Sequence, residues 1–131
     1  MHYLLKTEPS DYNIDDLARD RETVWDGVEN AQALIFIRQI KTGDPCFIYH
    51  TGAEKKIVGL AEAATDAFAD KANPKLAMFK LRFKENFSKP LSLAEIKSLK
   101  AFEGFDLIRL PRLSVMPVPE KFTGEILKRI Q

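Results

Sequence analysis

The longest regular pattern in the sequence is an alternation of apolar and polar residues from Leu76 to Phe87. One set of positions holds Ala77, Phe79, Leu81 and Phe83, and the intervening set holds Met78, Lys80, Arg82 and Lys84. Because successive side chains of a β-strand point to opposite faces, this period of two predicts a half-buried strand with a basic outer face. The apolar face needs a packing partner, so the fold must contain a sheet. The basic face is more typical of solvated sheet surface than of a nucleic-acid footprint.

Shorter segments predict the rest of the sheet and its helices. Strands are predicted at Tyr3–Thr7, Thr23–Trp25, Pro45–His50, Lys56–Ala64 and just before Pro117, the third and fourth forming a hairpin. Helices are predicted from Asn13 to about Asp20, from Ala31 to Ile40, from Ser92 to about Lys100 and through Phe122 to Ile130. In the second helix, Ala33, Phe36, Ile37 and Ile40 have the spacing of one buried stripe. This order predicts an α+β fold, a mixed sheet that closes or nearly closes into a barrel, with flanking helices.

Composition limits the domain count and the partners. With 131 residues and 45% hydrophobic residues, the chain is long enough for one domain with its own core, and we expect a single domain over residues 1–131. The net charge is only +1, which argues against a protein that coats nucleic acid through many phosphate contacts. No signal peptide and no apolar run of membrane-spanning length occurs in the sequence. We expect a cytoplasmic protein without a membrane partner.

The usual catalytic and metal-binding patterns are missing from the sequence. The single cysteine, Cys46, excludes an internal disulfide, and the two histidines, His2 and His50, lack metal-ligand spacing. Cys46 and His50 lie four residues apart on one predicted strand, roughly 13 Å at strand rise, which is too far for a nucleophile and its base. No phosphate-binding loop of the G-x-x-x-x-G-K or G-x-G-x-x-G type is present. We expect neither a metal nor a cofactor.

The strongest candidate for a binding site is the segment from Trp25 to Asn30, which contains the only tryptophan. A flat ring beside Gly27, with the Asn30 amide nearby, can hold a planar polar ligand such as a nucleobase. From these residues alone, the alternative of a core Trp25 and a helix-capping Asn30 is favoured.

Six short motifs, taken together, resemble the EVE domain family. They are Leu5-Lys6-Thr7-Glu8-Pro9, Trp25-Asp26-Gly27-Val28-Glu29-Asn30, Gly43-Asp44 with Tyr49-His50, Ile57-Val58-Gly59, Asn73-Pro74-Lys75 and Arg112-Leu113-Ser114-Val115. They occur in the family's order from about Tyr3 to Leu127. The resemblance implies a PUA-like pseudo-barrel and a non-catalytic reader of modified bases in DNA or RNA. Methylated or hydroxymethylated cytosine and N6-methyladenine are the implied bases.

The resemblance also implies roles for individual residues in a base pocket. Trp25 is expected to form one wall, and Gly27 to let the backbone approach the ring. Further contacts are expected from Lys6, Thr7 and Asn30 at the base edge, Tyr49 and His50 at the floor, and Arg112 and Ser114 at the rim or the phosphate.

Four positions depart from the family pattern. Glu29, Ala31, Leu34 and Leu76 stand where the family usually has Arg, Tyr, Arg and Trp. We therefore expect a weaker or altered nucleic-acid surface, with a small modified nucleoside or a protein partner as alternatives.

Two other functions stay open from the sequence. One is an amidohydrolase acting on acylated cytidine, as in ASCH-type relatives, with Lys6, Thr7 and Glu62 as its residues. The other is a partner-binding module whose base pocket has decayed.

Overall fold

The fold is a mixed β-sheet with helices packed around it, described by a computed structural model over residues 1–130. The strands are β1 (His2–Thr7), β2 (Glu22–Trp25), β3 (Pro45–His50), β4 (Lys56–Ala63), β5 (Phe68–Ala69), β6 (Ala77–Ser92) and β7 (Val115–Val118). The α-helices are α1 (Ile14–Asp20), α2 (Ala31–Ile37), α3 (Leu93–Ser98), α4 (Asp106–Arg109) and α5 (Glu120–Arg129), and a 3-10 turn spans Lys100–Phe102. The predicted strands and helices are therefore all present, with different ends in several cases.

The sheet has the strand order β2-β6-β4-β3-β1-β7, with β5 paired to β6 off this path. β1 runs parallel to β3 and antiparallel to β7, while β4 runs antiparallel to both β3 and β6. Among the described residues the two end strands, β2 and β7, do not pair with each other. The predicted mixed sheet with flanking helices is confirmed, and it forms an open pseudo-barrel rather than a closed barrel.

The long strand β6 continues past the predicted end at Phe87 to Ser92. The alternation in burial holds from Ala77 to Leu81, where this strand lies between β2 and β4. The register with β4 then shifts between Ile57 and Gly59, so residues 87–90 form a bulge that contains Pro90. A bulge tolerates proline because no ladder hydrogen bond is required there.

Helix α2 differs from its prediction in length and in its buried face. It ends at Ile37, and Ile40 N donates to Ile37 O at 3.0 Å in a tighter turn. Leu34 is buried, whereas Phe36, which was predicted to belong to the stripe, is only half-buried. The apolar set is wider than one helix face, so packing rather than spacing decides which member is buried.

The core lies between the sheet and the helices, and both faces of β3 contribute to it. At the C-terminal end of the chain, Phe102, Phe105 and Phe122 stack with ring centroids 4.8–6.2 Å apart. None of the helices in residues 1–130 is long and apolar enough to cross a lipid bilayer.

Candidate functional site

A cavity of about 470 Å³ opens at the C-terminal end of β1, and we call it the Trp25 cleft. Its walls come from the end of β1, the following turn, β2 and the segment after β2. The lining residues are Lys6, Thr7, Glu8, Asp11, Tyr12, Thr23, Val24, Trp25, Asp26, Gly27, Val28, Glu29 and Ser114. A volume of this size is typical of small-molecule sites in proteins.

Trp25 is positioned by the sheet. It is the last residue of β2, opposite Phe79 of β6, and only 9% of its surface is exposed. The Tyr12 ring meets it edge-on, with centroids 6.4 Å apart and planes at 74°. The indole is therefore mostly packed against other residues, while part of it borders the cleft. Such a fixed aromatic surface can stack on a planar ring with little loss of side-chain entropy.

The turn after β1 forms another part of the cleft lining. The Thr7 hydroxyl donates to the Tyr12 carbonyl oxygen at 2.7 Å, and the Tyr12 amide donates to the Glu8 carbonyl oxygen at 3.0 Å. The Tyr12 hydroxyl donates to the Asp20 carboxylate at 2.9 Å. A hydroxyl has one hydrogen, so Thr7 can offer a ligand only the lone pairs of its oxygen.

Ser114 reaches the cleft because the Lys6 amide donates to its carbonyl oxygen at 2.9 Å. Gly27 has φ +76°, and no atom lies within 4 Å of the position that a Cβ would take. The left-handed backbone conformation by itself therefore accounts for a glycine at this position.

The electrostatics of the cleft are acidic. Four lining carboxylates against the one ammonium of Lys6 give a formal charge of −3. Within residues 1–130, no ion pair involves any of these four carboxylates, which belong to Glu8, Asp11, Asp26 and Glu29. The described residues contain no group of acidic, histidine and cysteine side chains arranged to hold a metal ion. The cleft therefore presents hydrogen-bond acceptors to a ligand and repels anions.

Lys6 is held at the boundary of the cleft. Its ammonium donates to the Pro111 carbonyl oxygen at 2.8 Å and lies 5.7 Å from the centroid of the Tyr49 ring. Burial lowers the pKa of Lys6, because desolvation disfavours the charged form.

The structure brings five of the nine predicted pocket residues into the cleft, namely Lys6, Thr7, Trp25, Gly27 and Ser114. Asn30 and Arg112 instead line a neighbouring groove of about 330 Å³ with Leu110 and Leu113. The Asn30 side chain accepts from the Ala33 amide at 3.0 Å and caps α2.

Tyr49 and His50 are both buried, and neither lines the cleft. His50 Nε2 accepts from the Ile14 amide at 3.1 Å, and Nδ1 lies 3.0 Å from a Glu54 carboxylate oxygen. With Nε2 acting as an acceptor, the proton belongs on Nδ1, where it is donated to Glu54. His50 thus fastens the start of α1 to the sheet.

The three residues of the amidohydrolase hypothesis are not brought together. Thr7 lies opposite His50 at one end of β3, and Glu62 lies opposite Pro45 at the other end. Five residues of strand place them roughly 17 Å apart. Glu62 instead forms ion pairs with Arg82 at 3.2 Å and Lys84 at 3.7 Å. These cations compensate the negative charge of a half-buried carboxylate.

Sequence reasoning did not select several lining residues, and Tyr12 is the most important of them. The only sequence feature that indicates Tyr12 is its place in the turn after β1, whose last residues, Lys6 and Thr7, were already candidates. Ligands often bind at such turns. Glu8, Asp11 and Asp26 were visible as charges in turns, but their convergence depends on the tertiary fold.

A mixed sheet with an aromatic, acceptor-lined cleft at the end of one central strand defines a small ligand-binding domain. The chain belongs to the EVE domain family, whose model matches residues 1–129. This confirms the family resemblance found in the sequence motifs.

Two comparisons with a human protein agree with this assignment. The chain is 31% identical to human thymocyte nuclear protein 1, over 92% of this chain and 69% of that protein. The crystal structure of human THYN1 in complex with DNA containing 5-methylcytosine superposes with a TM-score of 0.90 at 26% identity, covering 97% of this chain and 95% of that one. An ASCH protein from Zymomonas mobilis, at 15% identity and a TM-score of 0.66 over 99% of this chain and 96% of that one, shares only the fold.

Proposed function

We propose that this protein is a non-catalytic reader of a modified base in DNA, and that the base enters the Trp25 cleft. The observation that carries the proposal is that the lone tryptophan forms a wall of an open cleft that Thr7 also lines. The similarity to a protein crystallised with DNA containing 5-methylcytosine supports it. A base taken out of the helix loses its stacking partners, and the indole restores one of them.

The polar groups of the cleft favour a base with an exocyclic amino group. Thr7 gives its only hydrogen to the Tyr12 carbonyl oxygen, so its oxygen can only accept. The carboxylates of Asp11, Asp26 and Glu29 are acceptors as well. Cytosine N4 and adenine N6 are donors, whereas thymine and uracil present the O4 acceptor at that position. We therefore place modified cytosine first and N6-methyladenine second.

The methyl group supplies the preference for the modified base. Burying one methyl group gains about 1 kcal/mol, which corresponds to a roughly fivefold difference in affinity. The apolar surfaces in the cleft that can contact it are Val24, Val28 and the apolar parts of Tyr12 and Trp25.

The experiment is a titration of the protein with matched oligonucleotides. They carry 5-methylcytosine, 5-hydroxymethylcytosine, N6-methyladenine or no modification, in single-stranded and double-stranded DNA and in RNA. Since Trp25 is the only tryptophan, its fluorescence reports directly on stacking in the cleft. We expect quenching with the modified DNA and a severalfold weaker response to plain DNA. Equal affinity for all oligonucleotides, or binding without a change in Trp25 emission, would refute the proposal.

A variant pair tests the Thr7 contact. Thr7→Val keeps the shape of the side chain but removes the acceptor and the hydrogen bond to the Tyr12 carbonyl oxygen, and we expect it to weaken binding about tenfold, as for one lost hydrogen bond to the ligand. Thr7→Ser keeps the hydroxyl and should bind as the native protein does. Thr42→Val serves as a matched control, because its hydroxyl bonds to Asp66 in a loop outside the cleft.

A further inference from the structure

A second cavity of about 280 Å³ lies beside the Trp25 cleft and differs from it in charge. We call it the lysine pocket, because Lys6, Lys55 and Lys97 line it together with Tyr49 and Thr51. Within residues 1–130, no carboxylate is among its lining residues. We propose that the lysine pocket binds a phosphate group, namely a phosphate of the DNA strand whose base enters the Trp25 cleft. This assignment rests on the proposed function for the identity of the strand.

The three lysines come from three separate elements of the fold. Lys6 comes from β1, Lys55 from the turn between β3 and β4, and Lys97 from the last turn of α3. Lys55 has φ +48°, and its carbonyl oxygen accepts from the Leu93 amide at 2.8 Å, which ties the turn to the start of α3. The pocket is therefore a product of the fold rather than a run of basic residues in the sequence.

The positive charge of the pocket is not neutralised within the described chain. Among residues 1–130, neither Lys55 nor Lys97 takes part in an ion pair, and Lys6 contacts only a carbonyl oxygen and the Tyr49 ring. The neighbouring Glu54 carboxylate is engaged by His50 and lies 4.0 Å from Lys56 Nζ.

One carboxylate does come close to the pocket, at Gly52. The Glu8 carboxylate accepts from the Thr51 hydroxyl at 3.2 Å and from the Ser10 hydroxyl at 3.1 Å, and it faces the Trp25 cleft. Three ammonium groups still exceed this one negative charge, so the pocket attracts an anion. Lysine ammonium groups are compact donors that bind phosphate oxygens well.

Lys6 connects the two cavities, because it lines both of them. The acidic Trp25 cleft repels the phosphates that flank an inserted base, and the lysine pocket next to it attracts them. Opposite charges in adjacent cavities thus orient a nucleotide, with its base on one side of Lys6 and a phosphate on the other.

The first test uses inorganic phosphate as the probe and amide chemical shifts as the readout. We expect saturable shifts at Lys55, Leu93 and Lys97 in the native protein and much smaller shifts in the Lys55→Gln/Lys97→Gln variant. Lys71→Gln/Lys89→Gln is the matched control, since it removes the same charge from exposed positions that line none of the cavities described above. Absence of saturable shifts in the native protein, or equal shifts in the first variant, would overturn the assignment. This arm does not depend on base recognition.

The second test measures the salt dependence of oligonucleotide binding. We expect the Lys55→Gln/Lys97→Gln variant to reduce the slope of log K against log salt by about 1–2, and the control variant to leave it unchanged. Binding of the free modified nucleoside, followed by Trp25 fluorescence, should be the same in all three proteins. An unchanged slope together with phosphate binding in the first test would show that the pocket takes free phosphate, which overturns its assignment to the strand. If the salt slope falls in the Lys55→Gln/Lys97→Gln variant but none of the three proteins binds the free nucleoside, base binding in the Trp25 cleft is refuted and the phosphate site is still supported.

Discussion

Gly59 offers a sharp test of how tightly α1 is packed against the sheet. A Cβ at this position would lie 2.6 Å from Ile14 Cδ1 and 2.7 Å from the Glu85 carbonyl oxygen. Neither neighbour can move freely. Ile14 is buried and its amide bonds to His50, while Glu85 belongs to the β4–β6 ladder.

The expected cost of Gly59→Ala follows from these contacts. Inserting one methyl group into a well-packed region costs roughly 1–3 kcal/mol, and a fixed backbone oxygen places this case at the upper end. For a domain of this size, 1 kcal/mol lowers Tm by about 4 °C, so we expect a decrease of about 10 °C. The φ angle of Gly59 is outside the left-handed region, so backbone strain adds nothing.

Gly124→Ala is the matched control. Gly124 lies inside α5, and no atom is within 4 Å of its missing Cβ. Alanine in a helix interior is favoured over glycine by roughly 0.5–1 kcal/mol, so Tm should rise by about 2–4 °C. Thermal unfolding by circular dichroism and urea titration measure both variants. If Gly59→Ala melts within about 2 °C of the native protein, the contact between α1 and the sheet is not rigid.

Two further predictions concern charge and burial. Asp26 and Glu29 form no ion pair within residues 1–130, and replacing them by Asn and Gln keeps an acceptor oxygen at each position while removing the repulsion of the strand phosphates. Oligonucleotide affinity measured by anisotropy should therefore increase about 3–10-fold at low salt and converge with the native value at high salt, whereas a loss of affinity would show that the negative charge itself is needed to hold the base. Burial raises the pKa of the Cys46 thiol. A disulfide reagent at pH 8 should therefore react with the native protein at least about 100-fold more slowly than with the urea-unfolded protein. Rapid reaction of the native protein would contradict the packing of β3.

Local patterns in the sequence were enough to predict most of the fold. The alternation through Phe79 and Leu81 identified the central strand, because burial on one face imposes that period directly. Helices are predicted to begin at Asn13 and Ser92, and each of these side chains caps its helix by accepting from the backbone amide three residues later. These features depend on neighbours within four residues, which is why sequence alone reveals them.

The site was predictable only in part. Trp25 and Thr7 were selected from motifs, and both line the cleft. The positions of His50 and Asn30 could not be resolved, because a side chain that can contact a ligand can equally bond to a backbone amide. His50 bonds to the Ile14 amide and Asn30 to the Ala33 amide. The Ile14 amide comes within reach of His50 only through the tertiary fold, because the two residues are 36 positions apart in the sequence.

The contact of Lys6 with Pro111 joins segments 105 residues apart. Together with the hydrogen bond from the Lys6 amide to Ser114, it joins an early and a late segment of the chain beside both cavities. The shape of each cavity therefore depends on contacts between residues that are far apart in the sequence. A ligand in either cavity binds the native state and pulls the folding equilibrium toward it.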